Sequence, residues 1–175
     1  MGIRKISINY IHKMIADNGF KLRNLQMCEL GNQRDSDNYK GFKVSKKYFE
    51  SLGVIHTSID WNGEDGALPL DFNKPINIGQ FDVVTNIGFS EHVENHYQCF
   101  QNIYDLTKIG GISIHLAPKE GNYKRHKCYR WYREAFFFQL AKKKHYEIVD
   151  IGIINPKGKT GFDCIRCTLK KRGEK

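Results

Sequence analysis

Short runs rich in β-branched residues alternate with stretches whose apolar residues recur at helical spacing, and this alternation is the tightest constraint on the fold. Residues 25–30, 54–59 and 81–86 read as strands, and residues 6–17, 43–52 and 92–107 as helices. In the first helix Ile6, Tyr10, Ile11, Met14 and Ile15 fall on one face, and Asn18-Gly19 stops it. In the third, Val93, Tyr97, Phe100, Ile103 and Tyr104 lie near one face. The stretch Ala67 to Asp71 is a very short strand at best. Gly110-Gly111 opens a strand that runs to residue 117, and an aromatic-rich helix is expected over 129–143. Residues 145–154 and 161–170 then read as two strands around Asn155-Pro156, with no helix between them. The pattern predicts an α/β sandwich with a mainly parallel sheet and an antiparallel C-terminal strand pair. In such sheets ligands bind beyond the carboxyl ends of the strands. Glu29, Asp60 and Asn86 stand at three of those ends, and Asp71 follows the short fourth stretch.

The 175 residues carry 40% hydrophobic and 13% aromatic side chains, enough for a buried core, which excludes a wholly disordered chain. No internal repeat, low-complexity segment or proline-marked linker divides residues 1–175, so one domain is expected. No run approaches the roughly 20 apolar residues of a membrane span. Met1 to Lys5 is not followed by the long apolar run of a signal peptide. Gly2 invites a myristoylation reading, which fails because Ile6 stands where Ser or Thr is wanted. Five scattered cysteines argue against a disulfide framework and for a reducing, cytoplasmic compartment.

Net charge is +9 but unevenly spread. Residues 1–50 hold 10 Lys and Arg against 5 Asp and Glu; residues 51–118 hold 2 against 8; residues 119–175 hold 16 against 6. The acidic middle suits a cationic or hydroxyl-rich ligand. The basic final third suits an anionic substrate or partner, or is a solvated surface.

Five segments in order give the chain its family likeness. Strand one ends in Glu29-Leu30-Gly31, an acidic-x-Gly start of a glycine-rich loop, with Asn32-Gln33 where further glycines are often found. Asp60 ends strand two and is followed by Trp61. Asp71-Phe72 comes next, then Phe81 to Glu94, in which Asn86-Ile87-Gly88 leads into Ser90-Glu91-His92. Lys108-Ile109-Gly110-Gly111 turns into strand five. In this order and spacing the chain resembles the class I S-adenosylmethionine-dependent methyltransferases over nearly its whole length. The Ser90-Glu91-His92 loop is similar to the Ser/Thr-x-Glu-His loop of one broad subgroup.

The resemblance implies a three-layer Rossmann-like sandwich with S-adenosylmethionine as cofactor. It implies that Glu29, Gly31, Asn32, Gln33, Asp60, Trp61, Asp71, Phe72, Asn86, Ile87 and Gly88 surround that cofactor. Asp60 would accept hydrogen bonds from ribose hydroxyls, or else cap a turn. Asp71 and Phe72 would meet the adenine, or else Asp71 caps the next segment. A Gly at position 31 lets the backbone approach the ligand without a Cβ in the way.

Methyl transfer from a sulfonium is an in-line displacement that needs alignment and exclusion of water, and a hydroxyl or nitrogen acceptor also needs a base. Glu91, His92 and His115 are the catalytic candidates. His115 either faces the substrate or is a buried histidine bonded to backbone. His92 and His96, four apart on an expected helix, have the spacing of a metal-binding pair, but the HExxH pattern is absent and no metal is expected. Cys164 and Cys167 form a CxxC whose members point to opposite faces of a strand and read as packing. Arg125 and His126 lie in the basic, aromatic-interleaved loop 119–130 and are candidate substrate contacts.

The expected reaction is methyl transfer to an O or N acceptor on a small molecule or glycan-type substrate, with no membrane partner. The alternative is a non-catalytic or partner-dependent nucleic-acid or anion binder on a degenerate methyltransferase fold. A nucleotide or NAD protein is disfavoured because G-x-G-x-x-G is missing after strand one.

Overall fold

The computed structural model describes residues 2–121, 128–156 and 163–173. Among these residues eight strands and four α-helices follow in the order β1 (Gly2–Ile3), α1 (Lys5–Asp17), β2 (Gln26–Leu30), β3 (Arg34–Asp35), α2 (Ser45–Ser51), β4 (Ile55–Ile59), β5 (Phe81–Ile87), α3 (His96–Leu106), β6 (Thr107–Pro118), α4 (Glu134–Lys143), β7 (Tyr146–Ile154) and β8 (Cys164–Lys171). Six strands form one sheet in the order β4-β2-β5-β6-β8-β7. β4, β2, β5 and β6 run parallel, and β8 runs antiparallel to both β6 and β7. Only β8 is reversed, so the expected antiparallel edge pair is a reversed strand threaded between β6 and an outer β7. This is the mainly parallel Rossmann-like sandwich of the expectation.

Strand alternation sends successive side chains to opposite faces. Met27, Val83, Ile112, Ile114 and Leu116 pack with Ile8, Ile11, Ile15 and Phe49 under α1 and α2. Cys28, Val84, Ile165, Cys167 and Leu169 pack with Phe100, Ile103 and Phe137 under α3 and α4. Burial on both faces explains why the central strands show no strict apolar–polar alternation.

Several expectations are corrected. Ile6 is exposed and Ile8 takes its place in the core. The polar loop after Gly31 contains β3, which pairs with β1; two residues with no apolar pattern give no periodic signal. The third helix starts at His96, not 92. Residues Ser90–His92 form a separate 3-10 turn, and Asn95 caps the helix by accepting the Gln98 backbone N–H at 3.1 Å. His92 and His96 therefore do not share a helix face. The aromatic helix starts at Glu134, not 129. Residues before it run extended, with Tyr132 bridged to Lys119, so Trp131 lies outside the helix.

Gly110-Gly111 lies inside β6 rather than before it. A Cβ on Gly111 would stand 2.9 Å from the Asp82 carbonyl oxygen, and the β5–β6 register shifts between Phe81 and Val83. The glycines thus permit a bulge with close strand approach. The short fourth stretch is reduced to one parallel bridge between Leu68 and Ile59; Pro69 has no N–H with which to continue it. Among the described residues no helix is long and apolar enough to cross a membrane.

Candidate functional site

The carboxyl ends of β2, β4 and β5 meet at one edge of the sheet. β2 is followed by Gly31, whose φ of +83° favours glycine. A Cβ there would stand 3.1 Å from Gln33 Nε2 and 3.4 Å from Phe89 Cδ2. The next residue, Asn32, donates its backbone N–H to Asp60 Oδ2 at 2.8 Å, which draws the loop across to the end of β4. Asn32 Nδ2 donates to Asp65 Oδ2 at 2.7 Å and to the Glu64 carbonyl at 3.2 Å. Asp60 also accepts from the Asn62 N–H at 3.3 Å. Asp60 therefore caps the turn with one oxygen and holds the Asn32 loop with the other.

Gln33 is fully buried. Its Nε2 donates to the carbonyls of Ile87 at 2.9 Å and Leu30 at 3.3 Å, so it ties the ends of β2 and β5 together. Two carbonyl partners fix the amide orientation. Its Oε1 and the Oδ1 of Asn32 are buried acceptors without a hydrogen-bond partner among the described residues. A buried acceptor left unpaired is costly, and both suit a ligand that carries N–H or O–H donors.

Glu29 stands behind this loop, on the α1/α2 face. It is fully buried, and Ser45 Oγ lies 2.5 and 2.7 Å from its two carboxyl oxygens. Burial, working against the Ser45 and Gln33 hydrogen bonds, pushes its carboxyl up to about 8. His56 stacks on Phe49 and lies 3.9 Å from Glu29; burial pushes its imidazole down to about 3. Glu29 reaches a ligand only through the loop it anchors, which makes it a positioning residue rather than a contact.

A second buried nest lies on the α3/α4 face. Ser90 N–H donates to Asn86 Oδ1 at 2.9 Å, which orients the amide so that Nδ2 donates to Ser90 Oγ at 2.9 Å and to His115 Nδ1 at 3.1 Å. Ser90 Oγ pairs with the Tyr132 hydroxyl at 2.7 Å. His115 Nε2–H is then left to donate to Ser113 Oγ at 3.0 Å. His115 is fully buried, stacks on Phe100, and is pushed down to about 3 by burial. It is a neutral core histidine bonded to side chains, and it faces neither solvent nor the crevice. Asn86 is likewise buried within the nest.

The nest holds the 3-10 turn that presents Glu91 and His92. Glu91 is nearly enclosed, its backbone carbonyl accepts from Tyr129 N–H at 2.8 Å, and its Oε1 lies 3.9 Å from His92 Nε2. His92 is half-exposed beside it. Gly88, with φ +64°, donates its N–H to the Leu116 carbonyl at 2.8 Å and turns the chain toward Phe89.

The remaining candidates are scattered. Trp61 is 84% exposed. Asp71 caps a turn, accepting from the backbone and side chain of Asn73 at 3.0 and 2.9 Å; these bonds hold its carboxyl below the usual range. Phe72 is buried and meets Phe89 edge-on at 5.0 Å. Arg125 and His126 lie outside the described residues. Ser45, Phe89 and Tyr132 shape the site without having been singled out in the sequence, and Ser90, part of the Ser-x-Glu-His motif, acts as the anchor of the turn; the Asn95-x-x-Gln98 cap was the one available signal that the turn before α3 stands apart. Among the described residues no group of three His, Cys, Asp or Glu is placed to hold a metal ion.

No family model matches the sequence. A stretch of 79 residues is 30% identical to polyprotein P1234 of Ross River virus and 29% identical to that of Sagiyama virus. The match covers 41% of this chain and spans 3% of those polyproteins. Solved structures extend the likeness to nearly the whole chain. The 1,6-didemethyltoxoflavin-N1-methyltransferase of Burkholderia thailandensis, crystallised with S-adenosylhomocysteine, superposes at a TM-score of 0.69 with 16% identity, over 93% of this chain and 76% of that one. An S-adenosylmethionine-dependent methyltransferase of Methanosarcina mazei gives 0.66 with 12% identity, over 99% and 100%. The N-methyltransferase NodS of Bradyrhizobium japonicum gives 0.63 with 12% identity, over 94% and 87%. The chain has the fold of the class I S-adenosylmethionine-dependent methyltransferases.

Proposed function

We propose that this chain, acting over residues 1–175 as one domain, binds S-adenosylmethionine and transfers its methyl group to an O or N acceptor. The observation that carries the reading is the bond from Asn32 N–H to Asp60. It sets a left-handed glycine and a strand-end carboxylate side by side where such folds take ligands. The two unpaired acceptors, Gln33 Oε1 and Asn32 Oδ1, fit a ligand bearing an ammonium and hydroxyl donors. The sulfonium, when bound, supplies an already activated methyl.

The chain's own residues do the rest. Gly31 admits the ligand's close approach. Asp60 accepts from ribose hydroxyls, and Trp61 and the Ile87-Gly88 backbone border the bound group. Glu91 and His92, joined at the turn held by Asn86 and Ser90, remove the proton from the acceptor. Neutral imidazole suits that task near neutral pH. The structural neighbour whose name carries a small-molecule substrate, 1,6-didemethyltoxoflavin, supports a small-molecule acceptor, and a glycan-type acceptor belongs to the same proposal. Five free cysteines suit a reducing, cytoplasmic setting.

A second reading is favoured by Gln33. Its side chain bonds to Leu30 and Ile87 beside Gly31, where glycines are often found in the family. A cradle filled in this way makes donor binding dependent on Gln33 swinging aside, or on a partner that moves it. Equilibrium dialysis with radiolabelled S-adenosylmethionine separates the two readings. Methyl transfer predicts saturable binding that Gly31→Ala weakens at least tenfold. A partner-dependent fold predicts no binding by the wild-type chain alone and measurable binding by Gln33→Gly.

A further inference from the structure

A groove of about 320 Å³ runs between α3 and α4 on the outer side of the sheet, at the small end of ligand-pocket volumes. Its floor is aromatic. His96, Phe100 and Phe136 meet with ring centroids 4.9 to 5.5 Å apart. Its rim is cationic, with Arg130 at the His96 end and Lys143 and Lys144 at the other. From Phe136 to Lys144 the helix rises ~12 Å.

The lysines are held in an unusual way. Lys143 Nζ lies 5.2 Å and Lys144 Nζ 5.8 Å from the ring centre of Tyr97, which is 64% exposed. Lys144 and Lys171 lie 5.1 and 4.0 Å from the ring centre of Tyr104. Lys171 donates to the carbonyls of Tyr104 and Thr107 at 2.8 and 2.9 Å, and Lys144 to Gln101 Oε1. The nearby carboxylate, Asp105, accepts twice from Gln101 Nε2. Among the described residues these ammonium groups are thus fixed by rings and neutral oxygens rather than by ion pairs. Burial, with mutual repulsion added, pushes Lys144 and Lys171 below the usual lysine range even against the pull of Asp105. Positive charge concentrated beside aromatic faces is complementary to an anion that also offers flat rings.

We propose that the α3/α4 groove binds single-stranded nucleic acid, with Lys143, Lys144 and Arg130 against phosphates and Tyr97 stacking a base. An acidic peptide satisfies the charge but not the rest. An extended peptide needs main-chain partners, and two helices with their backbone bonds already made offer none. Base stacking needs only ring faces, which Tyr97 and the His96–Phe136 floor supply. The upper end of the groove adjoins the turn of Glu91, because Tyr129, next to Arg130, donates its N–H to the Glu91 carbonyl. The inference does not depend on methyl transfer: donor binding and groove binding use different residues.

The test is fluorescence anisotropy with a labelled oligouridylate across a salt series, on the wild-type chain and on Lys143→Ala/Lys144→Ala, Tyr97→Ala and Tyr97→Phe. The double lysine variant should lose at least tenfold in affinity and lower the slope of log affinity against log salt by roughly 1.4, the value for two lost phosphate contacts on a single strand. Tyr97→Ala should lose about fivefold or more with the slope unchanged, and Tyr97→Phe should restore it. Thermal melts confirm that each variant folds, and Asp60→Ala should bind the oligonucleotide as the wild type does. Equal binding by all variants overturns the proposal. So does displacement of the oligonucleotide by polyglutamate at equal charge concentration, which assigns the groove to acidic peptides.

Discussion

The two faces of the sheet each bury a polar nest, and the two nests are built on different chemistry. Under α1 and α2 the nest is ionisable: Glu29, Ser45 and His56, with a carboxyl pushed up to about 8 beside an imidazole pushed down to about 3. Under α3 and α4 it is a neutral relay, Tyr132–Ser90–Asn86–His115–Ser113, in which every step is an ordinary hydrogen bond of 2.7 to 3.1 Å. The first anchors the loop that carries Asn32 and Gln33. The second anchors the turn that carries Glu91 and His92. Residues that stand out by motif, Glu29, Asn86 and His115, are therefore anchors, and the surfaces offered to ligands belong to their neighbours.

The largest effect that would break this contrast is expected at Asn86. Asn86→Ala removes three hydrogen bonds at a buried position and strands His115 Nδ1 and Ser90, so urea denaturation should show a loss of about 3 kcal/mol. The loss should vary little with pH above about 7, where His115 is neutral whether folded or unfolded. Ser45→Ala should cost about 2 kcal/mol near neutral pH, because it leaves a buried carboxyl without its side-chain donor. A loss at Ser45 as small as that of an exposed serine would show that the two nests do not differ as described.

The pH dependence sharpens the comparison. An unfolded glutamate gives up its proton near 4.5, whereas folded Glu29 keeps its proton to about 8. The folded chain binds more protons in that window, so this group makes stability fall as pH rises from 4.5 to 8. Burial of neutral His56 and His115 acts in the opposite sense. Their contribution is fully present above about 6.5 and is lost as pH falls toward 3. Glu29→Gln should therefore flatten the decline on the alkaline side and leave the acid limb in place, as read by urea midpoints across pH. The smallest effect is expected for Tyr132→Phe, about 1 kcal/mol from one hydroxyl at the end of the relay.

Much of this architecture was legible in the sequence, and the parts that were not share a physical cause. The strands at 54–59 and 81–86 stood out by their β-branched residues, and the short run 25–30 by the Gly31 that ends it. The same runs are buried on both faces, so no alternation told which side Glu29 or His115 would take. The helix expected from residue 92 overran its start because Val93 continues the apolar period of α3, while the Asn95 cap that ends the period locally is a polar signal. The helix expected from residue 129 overran for the same kind of reason: aromatic Tyr129 to Tyr132 resemble a helical face but run extended to reach Lys119. The sequence also marked Gln33 as a missing glycine. That its amide would bridge the ends of β2 and β5 depends on strands brought together only by folding.

Isothermal titration with S-adenosylmethionine and S-adenosylhomocysteine, run on the wild-type chain and on Asp60→Ala, reads donor binding at the crevice itself. Saturable binding of both ligands by the wild type is expected, with no binding by Asp60→Ala and no response to NAD or ATP. Absence of binding by the wild type, or equal binding by Asp60→Ala, would contradict the assignment of the crevice at the ends of β2, β4 and β5 to a methyl donor.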